Sequence, residues 1–263
     1  MKKTYITLVI VGVALVIVAS GAWLYVRQSP TVQELPANGQ SAPQSGLQVG
    51  ETLEQNGYII ERLPDAENEE LVAPSFDRPV TRPATMDTAV FTQVQSNITQ
   101  TVAVLKDGDN FNAWMNLASL RTILEDYKGS EEILIYISKR YAPSWQVFAN
   151  LGALYSTYLN SPGDAIAQYK RAIELLPSNP SLYRSLFEVQ VRKGDLKEGV
   201  DTLKEGIARA PDAIDLYVLL ARHLRSVGSE EEALSYYSAA AEQADKANNL
   251  SLKSDIESER DTP

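Results

Sequence analysis

Residues 163–180 read GDAIAQYKRAIELLPSNP, and all but the final proline belong to a unit running from Trp145 to Asn179. Its marked positions are Leu151, Gly152, Tyr155, Ala165, Tyr169, Ala172 and Pro177, with one extra residue in the turn near Pro162. Moving outward, the same register returns on both sides. Trp114, Phe148, Tyr183 and Tyr217 each precede a leucine by three positions, and those leucines are Leu117, Leu151, Leu186 and Leu220. A fixed period of about 34 residues signals stacked helical hairpins, because one hairpin cannot bury its own apolar face and must pack on a copy of itself.

The second half of each unit keeps step with the first. After Tyr183 come Gly194, Gly199, Leu203, Gly206 and Pro211; after Tyr217 come Gly228, Ala233, Tyr237 and Ala240. Small residues stand where two helices must touch closely. These residues resemble the tetratricopeptide repeat, and the resemblance covers about half of the chain. It implies an all-α fold, a right-handed superhelical solenoid of antiparallel helical hairpins, with four repeats at 111–144, 145–179, 180–213 and 214–245. The first repeat departs most, with Arg121 where tyrosine is usual, Ser130 for an alanine and Ile137 for another, although Trp114, Leu117 and Ala118 hold register. A terminal repeat is expected to be atypical.

Helices are expected to cap both ends. Over 85–110, Val90, Phe91, Val94, Ile98, Val102 and Leu105 sit at helical spacing, leaving Gln, Ser and Thr on the other face. Over 246–263, Leu250, Leu252 and Ile256 offer a shorter cover for the last hairpin, followed by a fraying tail.

The N-terminal 28 residues read as a transmembrane anchor. Thr4 to Val26 carries no charged side chain, and at about 1.5 Å per residue it spans roughly 34 Å, enough for a bilayer core. Tyr5, Trp23 and Tyr25 lie near its ends, where aromatic rings favour the headgroup region. Lys2 and Lys3 precede it and Arg27 alone closely follows, so the expected topology is single-pass in the cell (inner) membrane. The N-terminus is then cytoplasmic and the repeats extracytoplasmic. A cleaved secretory signal is the competing reading; its apolar core would be shorter than this run. In layout the chain is similar to single-pass, membrane-anchored tetratricopeptide proteins of bacterial type. Residues 29–84 are expected to be a disordered linker, first rich in Pro, Ser and Gln, then acidic and punctuated by Pro64, Pro74, Pro79 and Pro83. The apolar residues Tyr58, Ile59, Ile60, Leu71, Val72 and Phe76 leave several readings open: sticky residues in a disordered tether, packing on the first cap, a short partner motif, or a segment that docks into its own repeats.

Composition excludes several function classes. Cysteine is absent, which removes disulfides, thiolate chemistry and Cys-based zinc sites, and a formal charge of −10 argues against nucleic-acid binding. His223 is the only histidine, so no catalytic triad or His-based metal site is supported and no enzyme activity, metal or cofactor is expected. The acidic runs at Glu67, Glu69 and Glu70 and at Glu230, Glu231 and Glu232 read as solvated charge or favourable helix N-termini.

The resemblance implies that the first helix of each hairpin lines a concave groove. Its surface positions here are Asn112 and Met115, Gln146 and Asn150, Arg184, Glu188 and Arg192, and Arg222 and Arg225. Four arginines in a net acidic chain suit a carboxylate-bearing ligand, an acidic peptide or a free C-terminus; the bland alternative is that they solvate the helices and pair with Glu188 and Asp215. The family's two-carboxylate clamp is not reproduced, since Asn150 alone matches it. The expected function is therefore a membrane-anchored protein-interaction scaffold that captures a partner protein or peptide in the groove. The alternative is a self-associating structural module of a membrane or envelope complex, its groove unused and its oligomeric state open.

Overall fold

The computed structural model describes residues 52–55, 58–61 and 71–262, all within the compact unit formed by residues 45–263. The expected anchor and the first part of the expected linker lie outside the described residues. Among those described, no helix is long and apolar enough to cross a membrane.

Two short strands, Thr52–Gln55 (β1) and Tyr58–Glu61 (β2), pair antiparallel with Thr52 opposite Glu61 and Gln55 opposite Tyr58. Ten helices follow among the described residues: α1 Thr88–Asp107, α2 Phe111–Ile123, α3 Tyr127–Arg140, α4 Trp145–Thr157, α5 Pro162–Leu175, α6 Pro180–Lys193, α7 Leu196–Arg209, α8 Ile214–Ser226, α9 Glu230–Lys246 and α10 Leu250–Asp261.

Local chemistry sets the boundaries. Asp87, Asn110, Asp126 and Asn179 each turn a side-chain oxygen onto free amides of the helix that follows. Proline opens α5 and α6, where its missing amide costs nothing. Gly194, at φ 95°, closes α6 in the left-handed conformation that a side chain would oppose. The three glutamates in the first turn of α9 complement the positive end of that helix.

The hairpins α2–α3, α4–α5, α6–α7 and α8–α9 stack in chain order, with α1 before them and α10 on α9. Small residues take the close contacts. A Cβ added at Gly206 would lie 2.7 Å from the Tyr183 ring and 2.9 Å from Leu216, and Gly152 faces the Tyr169 ring in the same way at 3.0 Å. Tyr183, Leu203, Leu216, Leu220 and the alanines Ala165, Ala172, Ala233 and Ala240 are wholly buried. The repeated aromatic also has a polar task. Tyr183 donates to the Pro177 carbonyl at 2.9 Å and Tyr217 to the Pro211 carbonyl at 3.1 Å, while the Trp114 indole N–H donates to Asp109 at 3.0 Å. Each of these donors reaches back to the turn before its own helix and holds it against the stack.

The linker expected to be disordered through residue 84 is shorter than that. From Leu71 to Met86 the chain is a non-helical strap packed on the first repeat, so of the readings left open the segment that docks on its own repeats describes this stretch. The prolines prevent a helix there but not an extended course across a neighbour. Phe76 stacks on Trp114 with ring centroids 5.4 Å apart, and Leu71, Val80 and Met86 pack beside it. Arg121 explains its own departure from the repeat pattern. It is buried, and it donates to the carbonyls of Pro79 at 2.8 Å and Arg78 at 3.0 Å. Arg78 in turn grips Asp126 through two nitrogens, at 2.6 and 2.8 Å, and reaches Glu132 at 2.8 Å. Burial pushes the Asp126 carboxyl up, but the Arg78 hydrogen bonds, the Gly129 amide and the charges of both arginines outweigh it and hold that carboxyl below its usual range.

Candidate interaction surface

The first helices of the hairpins lie next to one another. Helix α4 contacts α6; Arg184 of α6 pairs with Asp215 of α8; and Arg222 of α8 pairs with Glu259 of α10. Tyr169 of α5 adds a link, facing Ser185 of α6 and Ser156 of α4; burial of its ring raises its pKa against those two hydrogen bonds. Together these contacts join α4, α6 and α8 into one face, with α2 the first helix of the preceding hairpin.

On this face Asn112, Asn150, Glu188 and Arg192 are exposed, and Gln146 is half-buried with its amide oxygen accepting from Ser144. Met115 is half-buried against the core of the first repeats, so it contributes shape more than reach. The half nearer the N-terminus is neutral: besides those residues it presents Ser119, Ala149, Ala153 and Thr157. Tyr155 of α4 is half-buried, and its phenol is pushed up to about 12 by burial and then by its hydrogen bond to Glu131 of α3.

The four arginines do not act together. Arg184 is taken up by Asp215, one of the two pairings considered from sequence. Arg222 holds both oxygens of Glu259 at 2.6 Å, so the Glu259 hydrogen bond raises its pKa, and the same bond holds Glu259 below the usual carboxylate range. Arg225 turns to the end of α10, donating to the Glu259 carbonyl at 2.9 Å and the Arg260 carbonyl at 2.8 Å, with its guanidinium 4.6 Å from the Tyr237 ring centre. Arg192 is exposed, as is Arg222 despite its grip on Glu259. The basic character of this half of the face is thus largely engaged within the chain.

Sequence reasoning missed Tyr237 as a functional donor and Glu259 as an acceptor, because each also fits a bland role as a repeat aromatic and a charge in a capping helix. Tyr237 donates to Glu259 at 2.8 Å, and burial followed by that carboxylate pushes its phenol up to about 12. The departure at Arg121 was legible, but its purpose was not. Among the described residues no group of His, Cys, Asp or Glu is placed to hold a metal ion.

No family model and no curated protein matches the chain. Among solved structures it is similar to the crystal structure of MamA, at 21% identity and a TM-score of 0.51, covering 62% of this chain and 98% of that one. It is also similar to YrrB, described as a TPR protein with an unusual peptide-binding site, at 16% identity and a TM-score of 0.44, covering 64% of this chain and 89% of that one. The likeness to MamA establishes the fold and nothing further. The array is a helical-hairpin solenoid of the tetratricopeptide kind.

Proposed function

Starting from a solenoid of tetratricopeptide type, we propose that this protein is a membrane-anchored interaction scaffold whose first-helix face captures a segment of a partner protein. The observation that carries the reading is the row Asn150, Glu188 and Arg192, which stays exposed on the contacting helices α4 and α6 while the core is satisfied without it. Carboxamides both donate and accept, so they suit the backbone of an extended peptide, and Glu188 beside Arg192 adds a charged address at one end. A partly acidic ligand fits Arg192, whereas Arg222 and Arg225 already hold Glu259 and the end of α10. Fold analogy supports the scaffold reading, since repeat arrays present extended binding surfaces. YrrB, by its description, binds peptide.

The membrane part of the proposal rests on sequence: the uncharged run Thr4–Val26 behind Lys2 and Lys3. It places the repeats outside the cytoplasm, tethered to the inner membrane. Protease added to intact spheroplasts should cleave the repeats and leave the N-terminal residues protected; full protection of the repeats reverses the topology.

The test of capture compares the wild-type chain, solubilised from native membranes, with a variant in which Gln146, Asn150, Glu188 and Arg192 are all changed to alanine. Both must show equal helical signal and melting, and the variant leaves the arginines of α8 in place. A partner recovered with the first and lost with the second supports the face as the site. A partner held equally by both overturns it.

A further inference from the structure

The two helices that cover the ends of the array differ in what they show to solvent. Helix α10 carries Lys253, Asp255, Glu257, Glu259, Arg260 and Asp261, the charged surface expected of a terminal unit that must stay soluble. Helix α1 packs on α2 and buries Val94, Ile98 and Leu105, but from Thr88 to Leu105 it has no charged side chain at all. On its open side Val90 is 51% exposed and Val104 50%.

That open side repeats itself every seven residues. Val90, Asn97 and Val104 form one row, Gln93 and Gln100 the next, and Ala89, Ser96 and Ala103 a third. On a helix these rows adjoin, and all of their members are exposed except Asn97, which is half-buried. Contact with α2 accounts for the inner face and does not call for a second seven-residue repeat on the outer one. A heptad repeat on a bare face marks a seam for another helix, in which Val90, Asn97, Val104 and the two glutamines meet the partner. At about 1.5 Å per residue the seam from Val90 to Val104 is roughly 21 Å long.

The chemistry of the seam selects its occupant. In paired helices the charges flanking such a row choose between partners, and here the flank is Ala89, Ser96 and Ala103, which gives no address for a different chain. Carboxamides both donate and accept, so Gln93, Asn97 and Gln100 are complementary to themselves. Gln93 already donates to the Asn97 oxygen at 2.9 Å and Gln100 to Ser96 at 3.3 Å, and each carboxamide has further donors and acceptors to offer a neighbour. The chain has a formal charge of −10, so two copies repel over most surfaces; a face without charge lets them meet without setting like charges together.

We propose that the open face of α1 is a self-association surface, on which α1 of a second copy of this chain packs along the row Val90, Gln93, Asn97, Gln100 and Val104. The two valines supply the apolar contact at the ends and Asn97 sets the register in the middle. Two heptads bury little area, so the pair forms reversibly and depends on concentration. It leaves the face of α4 and α6 free in each copy.

The test uses the full-length chain in detergent, followed by sedimentation over a range of concentrations. Wild type should pass from monomer to dimer, and changing Val90 and Val104 together to glutamate should raise the dissociation constant on the order of tenfold or more, because like charges then face each other. The same two positions changed to lysine should weaken pairing equally, and an equimolar mixture of the glutamate and lysine chains should restore the dimer. That rescue separates a lost contact from a misfolded helix, with helical signal and melting as the further control. The chain has no cysteine, so Asn97→Cys introduces a single thiol at the middle of the row. Mild oxidation should link it into dimers roughly tenfold faster than Gln95→Cys, which is exposed on another side of the helix, since a disulfide needs Cβ atoms within about 4.5 Å. A wild-type chain that stays monomeric up to about 0.1 mM overturns the proposal. So do dimers that persist unchanged in the glutamate chain, which would belong to another surface, and equal cross-linking of the two cysteine chains. Loss of pairing in the Gln146, Asn150, Glu188 and Arg192 alanine variant overturns it as well, by moving the contact to the capture face.

Discussion

Arg121→Ala isolates what the buried guanidinium does for the strap. Arg121 is 2% exposed, so its hydrogen bonds need no discount for solvent. Two carbonyls, of Pro79 and Arg78, lose a charged donor; at about 2 kcal/mol each the loss is ~4 kcal/mol. The Arg121 Nε is buried without a hydrogen-bond partner, a cost of about 1 kcal/mol that the truncation removes, leaving a net ~3 kcal/mol against the docked strap. Asp126 loses a long, 3.3 Å hydrogen bond from Arg121, offset by the end of the repulsion between the Arg121 and Arg78 charges, and it keeps Arg78, so no buried carboxylate is stranded. If strap opening is fast relative to cleavage, native-state proteolysis reports its equilibrium, and ~3 kcal/mol becomes a rise of roughly 150-fold in cleavage rate. The bond to follow is Phe76–Asp77, cut by chymotrypsin and identified by mass, because Phe76 must leave Trp114 before a protease can reach it. The helical signal should change little, since the repeats keep their own contacts. Arg171→Ala, which removes an exposed cation 4.3 Å from the Phe148 ring, is the control and should leave the Phe76–Asp77 rate alone. A rate for Arg121→Ala within about threefold of wild type would refute the assignment of the strap to this arginine.

The pH dependence follows from Asp126. Its folded pKa is held below the unfolded value of about 3.9, so its contribution is fully present above that value and is lost as pH falls through the folded one. Pepsin cleavage within the strap, corrected for the pH response of pepsin on an unfolded reference peptide, should therefore rise below about pH 4, and Asp126→Asn should abolish that dependence. Close helix contact makes a different prediction. Gly206→Ala drives a methyl into the buried Tyr183 ring and should cost about 2 kcal/mol, whereas Gly163→Ala meets nothing within 4 Å and should be neutral or stabilising by up to about 1 kcal/mol. Urea melts of the two variants check the contrast, and equal midpoints would show that the small residues are not there for packing.

How much of this was legible differs from one element to the next. The helix pairs could be read from local rules, since Ala165, Tyr169 and Ala172 mark a close-packed face and Pro177 and Pro180 punctuate it within one short stretch. The strap was not legible in the same way. Its contacts join Phe76 to Trp114 and Arg78 to Asp126, pairs separated by tens of residues with no period to reveal them. The proline count correctly excluded a helix there, yet an extended segment that docks and one that does not have the same composition. The candidate face was half legible. Repeat register placed Asn112, Asn150, Glu188 and Arg192 on first helices, but it could not show which charged groups would find partners inside the chain.

The sequence by itself therefore determined what depends on neighbours along the chain: the period, the helix ends, the small residues at helix crossings, and the uncharged N-terminal run. Tertiary structure decided what depends on distance in space. It engaged Arg121 with the strap, Arg184 with Asp215, and Arg222 and Arg225 with the last turn of α10. The physical reason is that periodicity records the contacts every repeat makes, whereas a charge finds its partner through the particular fold around it, and the same arginine is a ligand's clamp or a helix's latch according to which carboxylate is nearest.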